Sequence, residues 1–260
     1  MIRLLTALLL LLLCPVAAHA ATYSDGFPQA NENPLSSSGN WVAAGTNPRP
    51  QVVTNRVRVA TVGDFATSIY NTAVTNDQFA QITVPTWNNS GAAVIIAGLL
   101  LRAADAPTVT YYEIDIIEDP GLTARYEIYR VVAGAYTALA GPSYFNLAAG
   151  DILRATIEGS TIHLYQNFKL LTAVTDASPI TSGKVGFIID VHTGGAIGDA
   201  EVDDFYGGDY PIVGCNLAMN VASSAFLLNA PTSYIRRNQA TGCPAGTAVQ
   251  QNLTLMGVGN

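Results

Sequence analysis

Between about residue 50 and residue 206 the chain is a succession of short runs rich in Val, Ile, Tyr and Thr, separated by clusters of Gly, Pro, Asn and Asp. Such a pattern predicts many short antiparallel strands, and strands of this number in one domain predict a sandwich or a barrel. No helix is predicted before residue 210. The predicted strands are 56–59, 79–84, 92–102, 109–117, 125–132, 151–158, 161–165, 170–174, 184–191 and 200–206.

Turn-forming residues lie between these predicted strands. Asp119-Pro120-Gly121 is typical of a turn, because Pro supplies φ near −65° and Gly accepts a positive φ. Residues 158–161 predict a tight hairpin. Residues 93–101 are almost all apolar, so we expect a strand buried on both faces at the centre of a sheet.

The amino terminus has the pattern of a secretory signal peptide. Arg3 precedes an apolar run over residues 4–13, and Ala18-His19-Ala20 offers a small-residue cleavage site. The apolar run is too short to span a bilayer, and no later segment is long enough to do so. We therefore expect residues 1–20 to be removed and the protein to be secreted, to the periplasm or the extracellular space.

The net charge and the cysteine content indicate which classes of partner the protein would repel and which redox compartment it occupies. The formal net charge is −7, and Lys169 and Lys184 are the only lysines, so nucleic acid and anionic membranes would repel the chain. Two cysteines remain after cleavage, Cys215 and Cys243, and an exported pair predicts a disulfide. Residues 211–260 carry almost no charge and are interpreted as a short C-terminal appendage that this disulfide closes.

Three carboxylates lie within six residues, in the segment Glu113-Ile114-Asp115-Ile116-Ile117-Glu118. Side chains alternate along a strand, so Glu113 and Asp115 share a face while Glu118 has the opposite parity unless a bulge intervenes. Two carboxylates facing one cleft can cleave a glycosidic bond. Alternatively, Glu113 and Asp115 form the solvated face of a hairpin, opposite Arg125 or Arg130.

Several motifs in order resemble those of the concanavalin A-like lectin/glucanase superfamily, which includes laminin G-like modules. The resemblance implies an all-β fold, a two-sheet antiparallel β-sandwich or jelly roll, over residues 21–210. The motifs are 23–27 (Tyr-Ser-Asp-Gly-Phe), 39–41 (Gly-Asn-Trp), 98–102 (Gly-Leu-Leu-Leu-Arg), 111–112 (Tyr-Tyr), 126–132, 134–137, 150–154, 183–187 and 203–205 (Asp-Asp-Phe).

Within this superfamily, glycoside hydrolase family 16 has the signature Glu-x-Asp-x-x-Glu. By that resemblance Glu113 would be the nucleophile, Glu118 the acid/base and Asp115 their helper in a retaining hydrolase. The chain departs from the family, because the Trp-Pro and Gly that usually precede the first Glu are absent and only Trp41 and Trp87 are available as tryptophans.

The superfamily resemblance favours a secreted, non-catalytic carbohydrate-binding module whose partner is a polysaccharide or other glycan. The expected ligand-binding residues are Glu113, Asp115, Tyr111, Trp87 and Tyr129. A family 16-like hydrolase is the first alternative, and a structural or adhesive surface protein is the second.

Members of the superfamily often hold Ca²⁺ near the two ends of the domain. The resemblance therefore implies a possible structural calcium site at Asp25 and Asp204. Ca²⁺ requires six to eight oxygen ligands, which two carboxylates and nearby carbonyls would begin to supply.

Overall fold

The structure, a computed structural model, describes residues 21–29, 31–88 and 93–210. Strands of two antiparallel sheets make up more than half of this region, and its one helical element is a short 3-10 turn at Ser37–Gly39. The prediction of an all-β, two-sheet antiparallel sandwich is therefore confirmed. No helix in these residues is long and apolar enough to cross a membrane.

One sheet has seven strands, in the spatial order β11-β10-β9-β8-β15-β6-β3. Its central strand β8 is buried along its whole length, as its apolar sequence predicts. These strands are β3 (Trp41–Val42), β6 (Ala66–Tyr70), β8 (Ile95–Ala103), β9 (Tyr111–Glu118), β10 (Arg125–Val132), β11 (Ala135–Tyr144) and β15 (Lys184–Val191).

The other sheet has nine strands, in the order β14-β13-β12-β7-β16-β5-β4-β2, and β1 also pairs with β16. Its strands are β1 (Thr22–Asp25), β2 (Asn31–Glu32), β4 (Gln51–Val53), β5 (Arg56–Arg58), β7 (Gln78–Trp87), β12 (Asp151–Glu158), β13 (Thr161–Gln166), β14 (Lys169–Thr175) and β16 (Ala200–Asp209).

The core fills the space between the two sheets. Alternate residues of each strand enter it, for example Ala80, Ile82 and Val84 of β7 and Tyr112 and Ile114 of β9. An aromatic group anchors one side of this core, with Trp41 fully buried and in contact with Phe27, Tyr70, Phe187 and Phe205. The apolar alternation that predicts the strands is thus also what holds the two layers together.

All ten predicted strands are present, and three of them, β10, β12 and β15, have the predicted bounds. The sequence does not predict β11 as a strand, because Gly141 and Pro142 interrupt a run rich in Ala. Proline is tolerated there because β11 is at the edge of its sheet. The predicted signal peptide, the C-terminal appendage and the Cys215–Cys243 disulfide lie outside the described residues.

Candidate functional site

Strand β9 places Glu113 and Asp115 on the outer face of the seven-stranded sheet, the face turned away from the other sheet. Tyr112, Ile114 and Ile116 enter the core between the sheets, so the alternate residues Tyr111, Glu113 and Asp115 point outward. β8 and β10 hold β9 on its two sides by antiparallel pairing with an unshifted register. The two carboxyls therefore share a face, as the sequence predicts.

Glu118 lies on the opposite side of the sheet. Because β9 has no register shift, no bulge returns Glu118 to the face of Glu113, and the two positions are about 16 Å apart along the strand at ~3.3 Å per residue. Oε2 of Glu118 instead accepts a hydrogen bond of 2.6 Å from Nε1 of Trp87, on β7 of the other sheet. The structure does not bring Glu118 together with Glu113.

Trp87 does not belong with the other expected ligand-binding residues. Its side chain packs against the core, and its indole joins the two sheets through Glu118. Tyr111 and Tyr129 do lie beside the carboxyls, since Tyr129 pairs directly with Glu113 across β9 and β10. Four of the five expected residues thus meet on one face, and Trp87 is separated from them.

We call this group the tyrosine–carboxyl face. It combines three tyrosines with three acidic residues on β9, β10 and β11. Its members are Tyr111, Glu113, Asp115, Glu127, Tyr129 and Tyr136.

The interior of this face is not solvated. Glu113 is 2 % exposed and Asp115 3 % exposed, so the expectation of a solvated acidic face is wrong. Their cross-strand neighbours on β10 are Tyr129 and Glu127, whereas Arg125 and Arg130 oppose Ile117 and Tyr112. The predicted pairing of these carboxyls with an arginine is also wrong, because the register places Tyr129 and Glu127 opposite them.

Tyrosine hydroxyls surround the Glu113 carboxyl. The Tyr136 hydroxyl lies 3.3 Å from Oε2 of Glu113, and Tyr111 is hydrogen-bonded to both Tyr136 and Glu113. Nδ2 of Asn47, from the loop that precedes β4, lies 3.4 Å from the Tyr111 hydroxyl. Burial raises the pKa of Tyr111 to about 12, so this phenol stays protonated and available as a donor at neutral pH.

Glu113 and Asp115 behave as a pair that shares a proton. Burial, then the nearby charge of Glu113 and their mutual hydrogen bond, raise the pKa of Asp115 well above its ordinary range. Burial also raises the pKa of Glu113, although hydrogen bonds from Asp115, Tyr136 and Tyr111 oppose the change. Two adjacent carboxyls in a desolvated site cannot both ionise at low cost, so Asp115 is the one that retains its proton.

Glu127 differs from this pair because it is ionised. Partial burial acts to raise its pKa, but hydrogen bonds from Arg125 and Tyr129, with the charge of Arg125, outweigh burial and lower the pKa. Nε of Arg125 donates to Oε1 of Glu127 over 2.7 Å, and the Tyr129 hydroxyl donates to the other carboxylate oxygen. A carboxylate in this state can accept hydrogen bonds from a ligand but cannot act as a general acid.

The residues of the face that meet solvent are Tyr129, Tyr136 and Glu127. Tyr136 is 52 % exposed, and its ring lies edge-on to Tyr129 with centroids 5.7 Å apart. The sequence did not single out Tyr136 or Glu127. Alternation along β10 would have placed Glu127 on the face of Tyr129, whereas Tyr136 required the edge strand β11 to be recognised.

The expected calcium site at Asp25 and Asp204 stays a prediction. Both oxygens of Asp25 accept N–H hydrogen bonds of 2.8 Å, one from the Phe27 backbone and one from Nε1 of Trp41. Asp204 is on β16, next to the Phe205 that pairs with Asp25. Within the described ranges, no group of three or more His, Cys, Asp or Glu side chains could hold a metal. The hydrogen bond from Trp41 to Asp25 fixes the Trp41 side chain in the core.

No family model matches the sequence, and no curated protein matches it. Among solved structures, the carbohydrate-binding module CBM66 from Bacillus subtilis is 14 % identical, with 64 % of this chain and 91 % of that chain covered and a TM-score of 0.44. A β-1,3-1,4-glucanase (lichenase) derived from a mouse hindgut metagenome is 12 % identical, with 73 % and 99 % covered and a TM-score of 0.47. Similarity at this level does not distinguish a binding module from a hydrolase.

Proposed function

We propose that this protein is a secreted, non-catalytic module that binds carbohydrate on the tyrosine–carboxyl face. The observation that carries the proposal is the edge-on pair of half-buried Tyr129 and exposed Tyr136 beside the ionised carboxylate of Glu127. Aromatic rings can pack against the C–H groups of a pyranose, and a carboxylate accepts hydrogen bonds from sugar hydroxyls.

Glu113 and Asp115 support this surface rather than touch the ligand. At 2 % and 3 % exposure neither carboxyl is accessible to a sugar hydroxyl. Glu113 instead lies under Tyr136 and is hydrogen-bonded to Tyr111, which fixes the position of the Tyr136 phenol. A phenol held in place loses less rotamer entropy when a ligand packs on it, and that loss is part of the cost of binding.

The separation of Glu113 from Glu118 supports binding over hydrolysis. A retaining glycosidase needs its two carboxyls about 5–5.5 Å apart around the scissile bond. Here Glu118 is on the other side of the sheet, engaged with Trp87, and Glu127 is ionised beside Arg125. The acidic groups of the face are the Glu127 carboxylate and the buried Glu113–Asp115 pair. None of them is placed to protonate a leaving group.

Isothermal titration calorimetry against neutral β-1,3- and β-1,4-linked glucan and galactan oligosaccharides tests the proposal. We expect at least one member to bind, and we expect Tyr136→Ala to weaken that binding at least about tenfold, which is ~1.4 kcal/mol. Tyr165→Ala is the matched control, because Tyr165 is a half-buried tyrosine on β13 of the other sheet. Binding that Tyr136→Ala and Tyr165→Ala weaken equally, or no heat with any oligosaccharide, would contradict the proposal.

A further inference from the structure

Among the described residues, Arg154 has no ionic partner, and it lies on the outer face of the nine-stranded sheet. It lies on β12 between Gln81 of β7 and Tyr165 of β13, the positions with which it pairs. Leu153 and Ala155, its neighbours in sequence, enter the core, so the Arg154 side chain points away from the seven-stranded sheet. The site is therefore on the opposite side of the molecule from the tyrosine–carboxyl face.

Arg154 differs from the other arginines of the described ranges, each of which has an ion pair or a hydrogen bond to a backbone carbonyl. Arg49, for example, donates to the carbonyl oxygens of Leu35 and Trp41, and Arg130 pairs with Asp176 at 2.9 Å. The remaining partnered arginines are Arg56, Arg58, Arg102 and Arg125. In the described ranges, Arg154 has neither an ion pair nor a hydrogen bond to a backbone carbonyl. Its guanidinium contacts an aromatic ring instead.

Aromatic side chains hold the Arg154 guanidinium in place. Its carbon Cζ lies 4.6 Å from the centroid of the Phe79 ring, and Phe79 is fully buried in an edge-on contact with Tyr206. Tyr165 and Tyr210 lie close enough to influence its charge electrostatically. Burial lowers the pKa of Arg154, but a guanidinium remains charged at neutral pH. A partly desolvated cation without a counter-charge is costly, unless a ligand supplies that charge.

We propose that Arg154 is the centre of a second ligand site that binds an acidic sugar through its carboxylate. A guanidinium positioned over the Phe79 ring can direct its N–H groups toward a carboxylate in a bidentate bond. Tyr165, half-buried and stacked on His163 with centroids 6.2 Å apart, gives an adjacent aromatic surface for the sugar ring.

Charge separates the two faces. The tyrosine–carboxyl face carries the ionised Glu127 and the Glu113–Asp115 pair, which holds one proton between two carboxyls, so it would repel an anionic sugar. The formal charge of −7 likewise gives no long-range attraction for anions, so recognition must come from the guanidinium itself. An acidic sugar and a neutral one would therefore select different faces of the sandwich, and the second site does not depend on the first.

Calorimetry with a galacturonic acid trisaccharide and its methyl ester tests this site, because the ester keeps the rings and removes the charge. We expect the acid to bind at least tenfold more tightly than the ester. Arg154→Gln should abolish that preference, while Lys169→Gln, which removes one positive charge from β14 of the same sheet, should preserve it.

Thermal unfolding of each variant shows whether it is folded, and the acid–ester comparison on the wild-type protein needs no variant. Equal affinity for acid and ester, an unchanged preference in folded Arg154→Gln, or no binding of the acid would overturn the second site. Tyr136→Ala should leave acid binding unchanged. Loss of neutral-sugar binding without loss of acid binding would then separate the failure of one site from the failure of the other.

Discussion

The pairing of Glu113 with Asp115 shows how one strand position can change the chemistry of another. Both carboxyls face outward, but cross-strand neighbours cover them, and Gly98 of β8 pairs with Asp115. In the described part of the chain, no N–H or hydroxyl group donates a hydrogen bond to Oδ1 of Asp115. Sharing a proton with Glu113 is what makes burial of this acid tolerable.

The raised pKa of Asp115 gives a stability prediction with a definite sign. The folded protein binds this proton more tightly than the unfolded chain, so the stabilisation is fully present below the unfolded pKa of about 3.9. It is lost as pH rises from there through the folded pKa, with a slope of at most ~1.4 kcal/mol per pH unit. Asp115→Asn removes this titration, so the variant should gain stability relative to wild type as pH rises above 4. Urea unfolding from pH 4 to pH 9 measures the difference.

Asp151 supplies a control of opposite sign. Partial burial acts to raise its pKa, but hydrogen bonds from Asn167, the Ala148 backbone and Gln166 outweigh it and lower the pKa. Its contribution is therefore present above its unfolded pKa and lost as pH falls through the folded one. Asp151→Asn should lose stability relative to wild type as pH rises toward about 4, so the urea series for this variant has to extend below pH 4. Parallel pH curves for the wild-type protein and Asp115→Asn would show that Asp115 is ionised in the folded protein.

Sequence alternation was sufficient to place Glu113 and Asp115 together, and insufficient to predict their burial. Parity along one strand depends only on local geometry. Burial of these side chains depends on Tyr129 and Tyr136, which reach them from β10 and β11 by pairings that no local pattern encodes. That Arg154 has no ionic partner in the described residues similarly depends on its neighbours on β7 and β13, so no local sequence pattern predicts it.

At the scale of elements, the approach of β8 to β9 requires glycine at position 98. A Cβ atom there would lie 2.5 Å from the Ile114 carbonyl oxygen, 2.7 Å from Cγ2 of Ile188 and 3.1 Å from Oδ1 of Asp115. The first two contacts are shorter than any Cβ tolerates, so the strands would have to separate. Gly98 thus leaves the space that the Asp115 carboxyl occupies.

Gly98→Ala should therefore destabilise the protein by about 1–3 kcal/mol, the usual cost of overpacking a dense interior. Gly198→Ala is the matched control, because a Cβ there would meet nothing closer than 3.8 Å. Urea unfolding midpoints measure both variants, and the control should change stability by less than about 0.5 kcal/mol. Equal midpoints for the two variants would mean that β8 and β9 can move apart freely.

Arg102, near the end of β8, donates hydrogen bonds to three loops. It is 2 % exposed, and its guanidinium donates to the carbonyl oxygens of Asn76, Ile180 and Gly159 over 2.5–2.7 Å. These acceptors precede β7, follow β14 and connect β12 to β13. One buried side chain therefore donates to carbonyls of loops that are distant in sequence.

Replacement of Arg102 by Met should cost about 2 kcal/mol or more, because it removes three hydrogen bonds that each contribute about 0.5–1.5 kcal/mol. Arg56→Met is the comparison, since Arg56 is 45 % exposed and its ion pair with Glu201 contributes at most about 1 kcal/mol. Urea unfolding of the two variants measures the contrast. A loss below 1 kcal/mol for Arg102→Met would show that water reaches these carbonyls in the folded protein.

At the scale of the whole molecule, the two-layer architecture follows from the sequence because apolar alternation and turn residues recur along the chain. The neighbour relations do not follow in the same way. β7 lies between β12 and β16, and β15 lies between β8 and β6, pairings that join residues far apart in sequence. Such contacts are decided by the packing of complete sheets, and they determine which side chains meet on each outer face.

The proposed binding function predicts that the protein does not hydrolyse glycans. Glu113 faces outward from the seven-stranded sheet, while Glu118 faces the opposite sheet and accepts a hydrogen bond from Trp87, so no substrate can lie between the two carboxyls. Prolonged incubation with β-1,3-glucan, β-1,4-glucan or galactan should release no reducing ends, whereas a lichenase assayed in parallel should release them from a mixed-linkage glucan. Release by the wild-type protein that both Glu113→Gln and Glu118→Gln abolish would contradict the binding function. Release that both variants retain would point to a contaminating enzyme, because a retaining hydrolase cannot lose either carboxyl without losing turnover.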